Sequence, residues 1–159
     1  DAGMDAVKLE GGAERADCIR GLVSAGIAVM GHLGLTPQSA TLLGGYKVQG
    51  KTDDSAEQLI RAGKALQDAG ASLMVVELVP AAVGKSLTEA LSIPVMGIGA
   101  GPHCSGQILN LYDMLDIYPG KKPRFVKNFM DGSDAIRAAI EHFVAEVKAG
   151  TFPGSEHSF

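Results

Sequence analysis

Short runs of apolar residues alternate along the chain with longer segments in which apolar residues recur every three or four positions. A short apolar run bounded by glycine or proline predicts a buried strand, and the helical recurrence predicts an amphipathic helix. The predicted strands are residues 6–10, 27–31, 72–78 and 93–98, and the rhythm favours the ambiguous segment 107–115 as a fifth strand. The predicted helices are residues 13–24, a short one at 36–44, then 53–69, 80–91 and about 133–149, followed by a surface tail at 150–159.

Apolar strands that alternate with helices predict a parallel sheet covered by helices. Both an open doubly wound sheet and a (β/α)8 barrel fit this pattern. Glu10, His32 and Glu77 each lie at or just past the C-terminal end of a different strand. Barrel enzymes collect their chemistry from strand ends around one rim, whereas an open sheet concentrates its site at one switch point. We therefore expect residues 1–159 to form one α/β domain, the C-terminal part of a (β/α)8 TIM barrel with about five parallel strands.

The first residues, DAGMD, have the character of a helix end that leads directly into the strand at 6–10. A β/α unit takes roughly 30 residues, so three further strands correspond to about 90 residues upstream. We expect these N-terminal strands to be missing from the sequence and to be supplied by an N-terminal fragment of the same barrel. The chain would then be active only together with that fragment.

Composition narrows the classes of function. The chain has 159 residues, a net charge of −4 and no basic stripe of the kind that indicates nucleic-acid binding. Cys18 and Cys104 stand apart, without the C-x-x-C spacing of a zinc or redox site, which fits a reducing compartment. The longest apolar run, around Leu73 to Val83, is interrupted by Glu77 and is too short to span a bilayer. We expect a cytoplasmic protein that binds neither nucleic acid nor membranes.

The segment Gly45–Thr52 has the G-x-x-x-x-G-K-T spacing of a phosphate-binding P-loop. A P-loop requires a buried strand that runs directly into its first glycine, but here a helix-start signal precedes Gly45. Asp53 and Asp54 follow at once and would repel an anion at the start of the helix. The sequence favours a surface loop followed by a capped helix, and nucleotide binding remains an alternative.

A second glycine-rich segment, GIGAG at residues 97–101, lacks the third glycine spacing of a dinucleotide-binding fingerprint. We expect it to form a backbone turn at the barrel rim, where the missing side chains let a ligand approach.

Lys8 and Glu10 are two residues apart on the first predicted strand, so their side chains point to the same face, the barrel interior. Charge there is costly unless it is paired or ligated. One interpretation is a buried structural ion pair between the two side chains. The other makes Glu10 a ligand of Mg²⁺, directly or through water, and Lys8 a contact for an anionic substrate.

His32 and Glu77 are the other two candidates. His32 lies at a strand end before a glycine-containing loop, where it is either a core histidine with satisfied nitrogens or a substrate contact. Glu77 is a single carboxylate in an otherwise apolar run, LMVVELVP, and is a candidate general base. Its structural alternative is a carboxylate paired within the core. Three strand ends that converge on one rim make a catalytic site plausible.

Several blocks resemble the ketopantoate hydroxymethyltransferase (3-methyl-2-oxobutanoate hydroxymethyltransferase) family, in order from the first residues to the last. They are AVKLEGG, GHLGLTPQS, LGGYKVQGKT, VVELVP, SIPVMGIGAG, GQILNLYDML and AEVKAGTFPGSEHSF. The resemblance implies a Mg²⁺-dependent barrel enzyme that transfers a hydroxymethyl group from 5,10-methylenetetrahydrofolate to α-ketoisovalerate, in pantothenate and coenzyme A biosynthesis. It also implies that the glycine-rich segment at Gly45–Thr52 marks a loop and a helix and binds no nucleotide.

On this resemblance Glu77 is the base that removes the C3 proton, Lys8 and His32 contact the keto acid, and Glu10 belongs to the metal environment. The family's two metal-binding aspartates and a substrate-binding serine lie on earlier strands that this sequence lacks. Ser105 also stands where an acidic residue is expected after the GIGAG segment.

The expected partners are the keto acid and the folate, the N-terminal fragment of the same barrel, and further copies of the chain in a homo-oligomer. Two alternatives remain open at this point. One is a P-loop nucleotide-binding protein, and the other is a non-catalytic subunit that only completes a barrel.

Overall fold

The computed structural model describes residues 3–117 and 120–159, and a parallel five-stranded sheet forms its centre. The strands follow each other across the sheet in the order in which they occur along the chain. They are β1 (Ala6–Glu10), β2 (Ala28–Gly34), β3 (Leu73–Glu77), β4 (Val95–Ile98) and β5 (Gly106–Gln107).

The strand order decides between the two architectures that the sequence left open. Each strand pairs in parallel with the next strand along the chain, from β1 through to β5. A doubly wound sheet reverses its order at a switch point, and no reversal occurs among these five strands. The sheet is therefore an arc of a (β/α)8 barrel, as predicted.

Helices follow the first three strands at the predicted places. They are α1 (Ala16–Ser24), α2 (Asp53–Asp68) and α3 (Ala81–Ala90), and a 3₁₀ turn at Ala13–Arg15 precedes α1. The side chain of Thr52 accepts a hydrogen bond from the backbone N–H of Ser55, and the side chain of Ser55 accepts one from the backbone N–H of Thr52, so α2 begins with a capping box. Among the described residues, no helix combines the length and the apolar character that a membrane crossing requires.

The alternation of side chains along each strand divides the core into two clusters, one on each face of the sheet. The outer face packs against α1, α2 and α3, and its fully buried members include Val29, Leu66, Met74 and Val76. The inner face carries a smaller apolar cluster of Leu35, Val75, Leu78, Ile98 and Phe125. The polar strand-end residues are thus placed at the rim of the inner face.

The fifth predicted strand is mostly wrong. Only Gly106–Gln107 pairs with β4, and Leu111–Met114 forms a short helix, α4, after Asn110 as its N-cap. Met114 and Leu115 are buried against Phe129 and Phe152, which the extended form would not allow for two consecutive side chains. The segment 107–115 thus contains the end of β5 and the helix α4, and hydrophobicity alone does not show where one ends and the other begins.

Three smaller predictions also need correction. The helix expected at 133–149 begins at Ile136 as α5 (Ile136–Ala149), because the Ser133 hydroxyl bonds the carbonyl of Phe129 and does not cap the helix. The short helix expected at 36–44 is a 3₁₀ turn at Pro37–Ser39 followed by turns. In the helix end expected at 1–5, residues 3–5 are not helical and residues 1 and 2 lie outside the described part.

The C-terminal region packs as a third cluster around aromatic rings. Phe129 lies edge-on to Phe143 and to Phe152, with ring centroids 5.5 and 5.3 Å apart. Lys127 reaches Glu146 on α5 at 2.6 Å, and Gly150 ends the helix in the left-handed conformation, as its glycine predicted. These contacts attach α5 to the segment that follows α4.

Candidate active site

Three polar side chains meet at the carboxyl ends of β1, β2 and β3, on the inner face of the sheet. Glu10 lies directly beside His32 in the register of β1 and β2, and Glu77 lies beside Gly34, two residues further along β2. The Nδ1 atom of His32 is 3.5 Å from a Glu10 oxygen, and its Nε2 atom is 3.2 Å from a Glu77 oxygen. The structure therefore brings together three of the residues predicted from separate strands.

His32 is the most deeply buried member of this group. Its side chain is 1% exposed, yet neither ring nitrogen makes a hydrogen bond of acceptable geometry with any described residue. The two carboxylates are within contact distance but out of line with the ring N–H directions. A buried polar atom without a hydrogen bond costs free energy, and such atoms are uncommon in native structures. This geometry favours a histidine that binds a ligand over a core histidine with satisfied nitrogens.

The carboxylate of Glu10 is held from the opposite side. One of its oxygens accepts a hydrogen bond from the backbone N–H of Gln38, at 3.0 Å. The backbone carbonyl of Glu10 accepts another from Nε of Arg15, at 3.1 Å. Sequence reasoning missed both contacts, although the turn that presents the Gln38 N–H lies at the start of the short helix predicted at 36–44. Glu10 is therefore a fixed carboxylate at the rim.

Lys8 shares the inner face with Glu10, as predicted, but it is not buried. Its side chain is 50% exposed and its Nζ atom is 4.0 Å from the nearest Glu10 oxygen. An ion pair this long and this exposed contributes little to stability. In this structure the pair is long and its lysine is half exposed, which favours the interpretation of Lys8 as a contact for an anionic ligand.

Glu77 occupies a tightly constructed strand end. Its side chain is 15% exposed, and its backbone carbonyl accepts a hydrogen bond from the N–H of Leu35, at 2.8 Å. Gly34 has a φ of +86°, and a Cβ atom there would collide with the carbonyl oxygen of Glu77. Glycine at position 34 therefore lets β2 approach β3 where the carboxylate of Glu77 leaves the sheet.

A cavity of about 610 Å³ opens beside His32, between the turn after β1, the loop after β2 and α2. Its size is within the range of small-molecule sites. Polar and small residues contribute to its wall, among them Gly12, Arg15, Thr36, Ser39, Gln49 and Gln58. Of the candidate site residues only His32 is among the described residues that line this cavity, so the cavity adjoins the site and does not enclose the carboxylates of Glu10 and Glu77.

The segment Gly45–Thr52 lacks the surroundings of a P-loop. No strand leads into Gly45, because residues 41–46 form turns and bends. The backbone N–H of Ser55 in the first turn of α2 donates to the hydroxyl of Thr52, and Asp53 and Asp54 place two carboxylates in the same turn. This geometry favours the capped-helix interpretation.

The GIGAG segment forms the predicted turn, with positive φ at Gly99 and Gly101. The space left by the missing side chains is filled by the protein itself, since a Cβ on Gly99 would meet the ring of Phe125 and one on Gly101 would meet Ala81. The ligand approach expected at these two glycines is therefore wrong.

Ser105 takes part in the connection between β4 and β5. Its hydroxyl accepts a hydrogen bond from the N–H of Val95 at 3.1 Å, and its own N–H donates to the Val95 carbonyl at 2.8 Å. Ser105, which stands where an acid was expected, thus bonds the backbone at the start of β4. Glu77 lies beside Ile98, at the opposite end of that strand.

The metal expectation rests on Glu10 alone. Among residues 3–117 and 120–159, no group of three or more His, Cys, Asp and Glu side chains could hold a metal ion. One oxygen of Glu10 is engaged by Gln38, so this carboxylate has one oxygen to offer. The described residues by themselves do not form a magnesium site.

Comparison with known proteins agrees with the sequence blocks. A 3-methyl-2-oxobutanoate hydroxymethyltransferase from Burkholderia vietnamiensis is 57% identical over 158 residues, which cover 99% of this chain and 58% of the relative. A protein of the same name from Heliobacterium modesticaldum is 54% identical over 159 residues and is covered to the same 58%. The chain therefore spans little more than half the length of these curated relatives.

One solved structure supports the fold alone. The Amycolatopsis orientalis BexX/CysO complex contains a chain that superposes on 97% of this chain and 61% of its own length, with a TM-score of 0.52 at 15% identity.

The family model described as ketopantoate hydroxymethyltransferase matches residues 1–155. This match covers nearly all of the sequence, including the strand ends that carry Glu10, His32 and Glu77, and the chain therefore belongs to the ketopantoate hydroxymethyltransferase family.

Proposed function

We propose that this chain carries the catalytic base and part of the substrate site of an enzyme that transfers a hydroxymethyl group to 3-methyl-2-oxobutanoate. The proposed donor is 5,10-methylenetetrahydrofolate and the product is ketopantoate, a precursor of pantothenate and coenzyme A. The observation that carries the proposal is the buried imidazole of His32, which has no hydrogen bond of good geometry and lies between two carboxylates at one rim.

Glu77 is the proposed general base. In the reaction its carboxylate takes the proton from C3 of the keto acid, and the electrons of the C–H bond form an enolate. Water breaks the two C–N bonds of the methylene bridge, which gives tetrahydrofolate and the one-carbon unit as formaldehyde. The enolate carbon then attacks the formaldehyde carbon, and the alkoxide that forms takes up the proton held by Glu77. Positioning the base next to a rim with little exposure to water supports efficient proton transfer.

His32 and Lys8 are the proposed contacts for the keto acid. The enolate develops negative charge on the keto oxygen, and a preorganised N–H donor at this point stabilises the transition state. The ring of His32 is fixed by its burial and has donor capacity to spare. The half-exposed ammonium of Lys8 is free to meet the carboxylate of the keto acid.

The proposal includes Mg²⁺ only through Glu10. A bound Mg²⁺ would act as a Lewis acid on the oxygens of the keto acid. Because Glu10 is a single carboxylate, the other ligands of the ion would come from outside the described residues. Loss of Mg²⁺ binding on Glu10→Ala, measured by calorimetry in the assembled protein, would support this part of the proposal.

We also propose that the chain works with an N-terminal part of the barrel, in a cytoplasmic homo-oligomer. Two observations favour the N-terminal part: the chain covers 58% of the relatives' length, and an arc of five strands leaves its two outer strands each with an unpaired edge. Such edges seek a partner strand or aggregate.

The test is co-expression of the chain with the N-terminal portion of the Burkholderia vietnamiensis relative that it does not cover. We expect soluble protein that forms ketopantoate from 3-methyl-2-oxobutanoate and 5,10-methylenetetrahydrofolate, measured by mass spectrometry. Glu77→Gln in the same assembly should form it at least about 10²-fold more slowly. If Glu77→Gln were fully active, the chain would be a non-catalytic subunit, and if the chain alone were folded and active, the need for a partner would be wrong.

A further inference from the structure

The residue directly after the proposed base has an unusual backbone. Leu78 has a φ of +52°, in the left-handed region, and among the described residues only Asp116 is another non-glycine residue with positive φ. A bulky side chain rarely adopts this conformation, because its Cβ approaches the backbone too closely. Unfavourable backbone conformations persist where the surroundings enforce them, and they concentrate at functional sites.

The left-handed residue changes which way the side chains point at the end of β3. Val75 belongs to the inner cluster and Val76 to the outer one, as strand alternation requires. Leu78 belongs to the inner cluster again, although regular alternation after Glu77 would turn it outward, and Val79 belongs to the outer cluster. Two consecutive side chains, Glu77 and Leu78, therefore lie on the inner side.

Backbone hydrogen bonds hold this strand end from three directions. Leu35 of the segment after β2 donates to the carbonyl of Glu77, at 2.8 Å. The N–H of Leu78 donates to the carbonyl of Ile98 on β4, at 2.9 Å. The carbonyl of Leu78 accepts from the N–H of Gln49, also at 2.9 Å. The first two bonds come from neighbouring strands or their continuation, whereas the third comes from the glycine-rich segment Gly45–Thr52.

The glycines of that segment shape the loop that delivers the Gln49 N–H. Gly45 and Gly50 have φ values of +100° and +71°, and a Cβ on Gly50 would lie 2.8 Å from Cδ1 of Leu59. Val48, between them, packs against the inner cluster that contains Leu78. The pattern that imitates a P-loop thus has a structural purpose at the strand end next to the proposed base.

We propose that Leu78 and the backbone N–H of Gln49 form a latch that positions Glu77 against His32; the proposal rests on the function proposed above. The Gln49 N–H holds the carbonyl of Leu78 and with it the left-handed turn that ends β3. This turn keeps the Leu78 side chain in the inner cluster, next along the chain to Glu77, and so supports the position of the Glu77 carboxylate beside His32. Without the hydrogen bond, Leu78 can return to an extended conformation, and the contact of 3.2 Å between Glu77 and His32 is lost. Leu78 and Gln49 are positioning residues and do not touch the reacting atoms.

The test compares Gln49→Pro with Gln49→Ala in the assembled protein. Proline removes the backbone N–H, whereas alanine keeps it and removes only a side chain that bonds the carbonyl of Lys47. The assay is deuterium exchange at C3 of 3-methyl-2-oxobutanoate. We expect kcat to be about 10²-fold lower in Gln49→Pro than in Gln49→Ala, with KM differing less than about twofold between the two variants, because displacement of a catalytic group by about 1 Å has effects of this size.

A second pair of variants covers the case in which Gln49→Pro does not fold. Leu78→Gly accepts positive φ freely, whereas Leu78→Val keeps more of the buried side chain but disfavours positive φ. The latch predicts a higher kcat for Leu78→Gly than for Leu78→Val, although the melting temperature should follow the opposite order. A purely structural role would give the same order for both quantities, and that result would overturn the latch.

Amide hydrogen exchange of residues 73–79 separates failure of the latch from failure of the proposed reaction. The latch predicts faster amide exchange at Leu78 and Val79 in Gln49→Pro than in Gln49→Ala. This measurement does not require an active enzyme. Equal protection in Gln49→Pro and Gln49→Ala would overturn the latch. Absence of C3 exchange in the unaltered assembly would instead overturn the proposed function.

Discussion

The outer and inner faces of the sheet bury different kinds of side chain. The outer face is covered by three helices, and the residues in its cluster are apolar, including Ile19, Leu66 and Met74 at 0% exposure. The inner face is apolar in its middle and ends, at the carboxyl side, in Glu10, His32 and Glu77. The same five strands thus contribute cohesion through one face and chemistry through the other.

The two faces contribute differently to the free energy of unfolding. Transfer of apolar surface out of water stabilises the outer face by about 25 cal/mol per Å². At the inner rim the buried imidazole of His32 makes no hydrogen bond of good geometry with a described residue, although a carboxylate lies near each of its nitrogens, and burial of such a polar group costs free energy. Functional sites commonly accept such a cost. Substitutions on the two faces should therefore affect different measurements.

The largest effect on stability is expected from Leu66→Ala on the outer face. Leu66 is fully buried in α2, and a cavity at such a site costs about 2–5 kcal/mol. Thermal unfolding of the assembled protein should show a clear drop in melting temperature, while kcat per folded molecule should change little. As a matched control, Leu66→Met should lower the melting temperature less than Leu66→Ala, because methionine nearly conserves the volume of leucine. A loss of kcat with unchanged melting temperature would break the division between the faces.

At the rim, Glu10→Ala and Lys8→Ala should show that the two members of the long ion pair have different roles, one in metal binding and one in substrate binding. Glu10→Ala removes the acceptor of the Gln38 N–H, but Gln38 is exposed and water can take its place, so this variant should weaken Mg²⁺ dependence more than folding. Lys8→Ala should raise the KM for the keto acid several-fold and leave the melting temperature nearly unchanged, since Lys8 is half exposed. Lys8→Arg, which keeps the charge, is the control. A sharp drop in melting temperature on Lys8→Ala with unchanged KM would favour the structural ion pair.

Much of this division was predictable from the sequence. The alternation of strands and helices predicted the parallel sheet, and the positions of Glu10, His32 and Glu77 at strand ends predicted the rim on which they meet. The exposure of Lys8 was not predictable, because it depends on which chain segments cover the inner face. The helix at Leu111–Met114 was missed because hydrophobicity does not distinguish a short strand from a short buried helix.

Backbone geometry was the least predictable part. The positive φ of Leu78 has no signal in the residue type, since leucine disfavours that conformation. The hydrogen bond from Gln49 joins two segments that are distant in the sequence, and only the fold brings them together. The glycine spacing of Gly45–Thr52 did draw attention to this loop, although the motif that it matches is one that binds phosphate.

A smaller effect is expected from Thr52→Ala, which tests the start of α2. Loss of the capping box should destabilise the protein by about 1 kcal/mol, measured by thermal unfolding. Lys51→Ala should leave stability and activity unchanged, because Lys51 is exposed. Binding of ATP or GTP that weakens on Lys51→Ala would restore the P-loop alternative and contradict the capped-helix interpretation.

The smallest effect concerns Cys104, which packs against the outer cluster. Burial raises the pKa of the Cys104 thiol, and a hydrogen bond from Thr88 opposes this only in part. A raised pKa means less thiolate at a given pH, so iodoacetamide should modify the exposed Cys18 faster than Cys104 at pH 8. The difference between the two modification rates should decrease as the pH rises, because a larger fraction of Cys104 then becomes thiolate. Equal rates at pH 8, followed by peptide mass spectrometry, would show that Cys104 is not shielded.

Deuterium exchange at C3 of 3-methyl-2-oxobutanoate tests the central claim most directly, because it isolates the proton transfer assigned to Glu77. In the assembled protein we expect Glu77→Gln to lower the exchange rate by about 10²–10⁴-fold, the usual contribution of a positioned base. Binding of the keto acid and the melting temperature should stay close to those of the unaltered protein. Exchange at the unaltered rate in Glu77→Gln would contradict the account and remove Glu77 from the role of base.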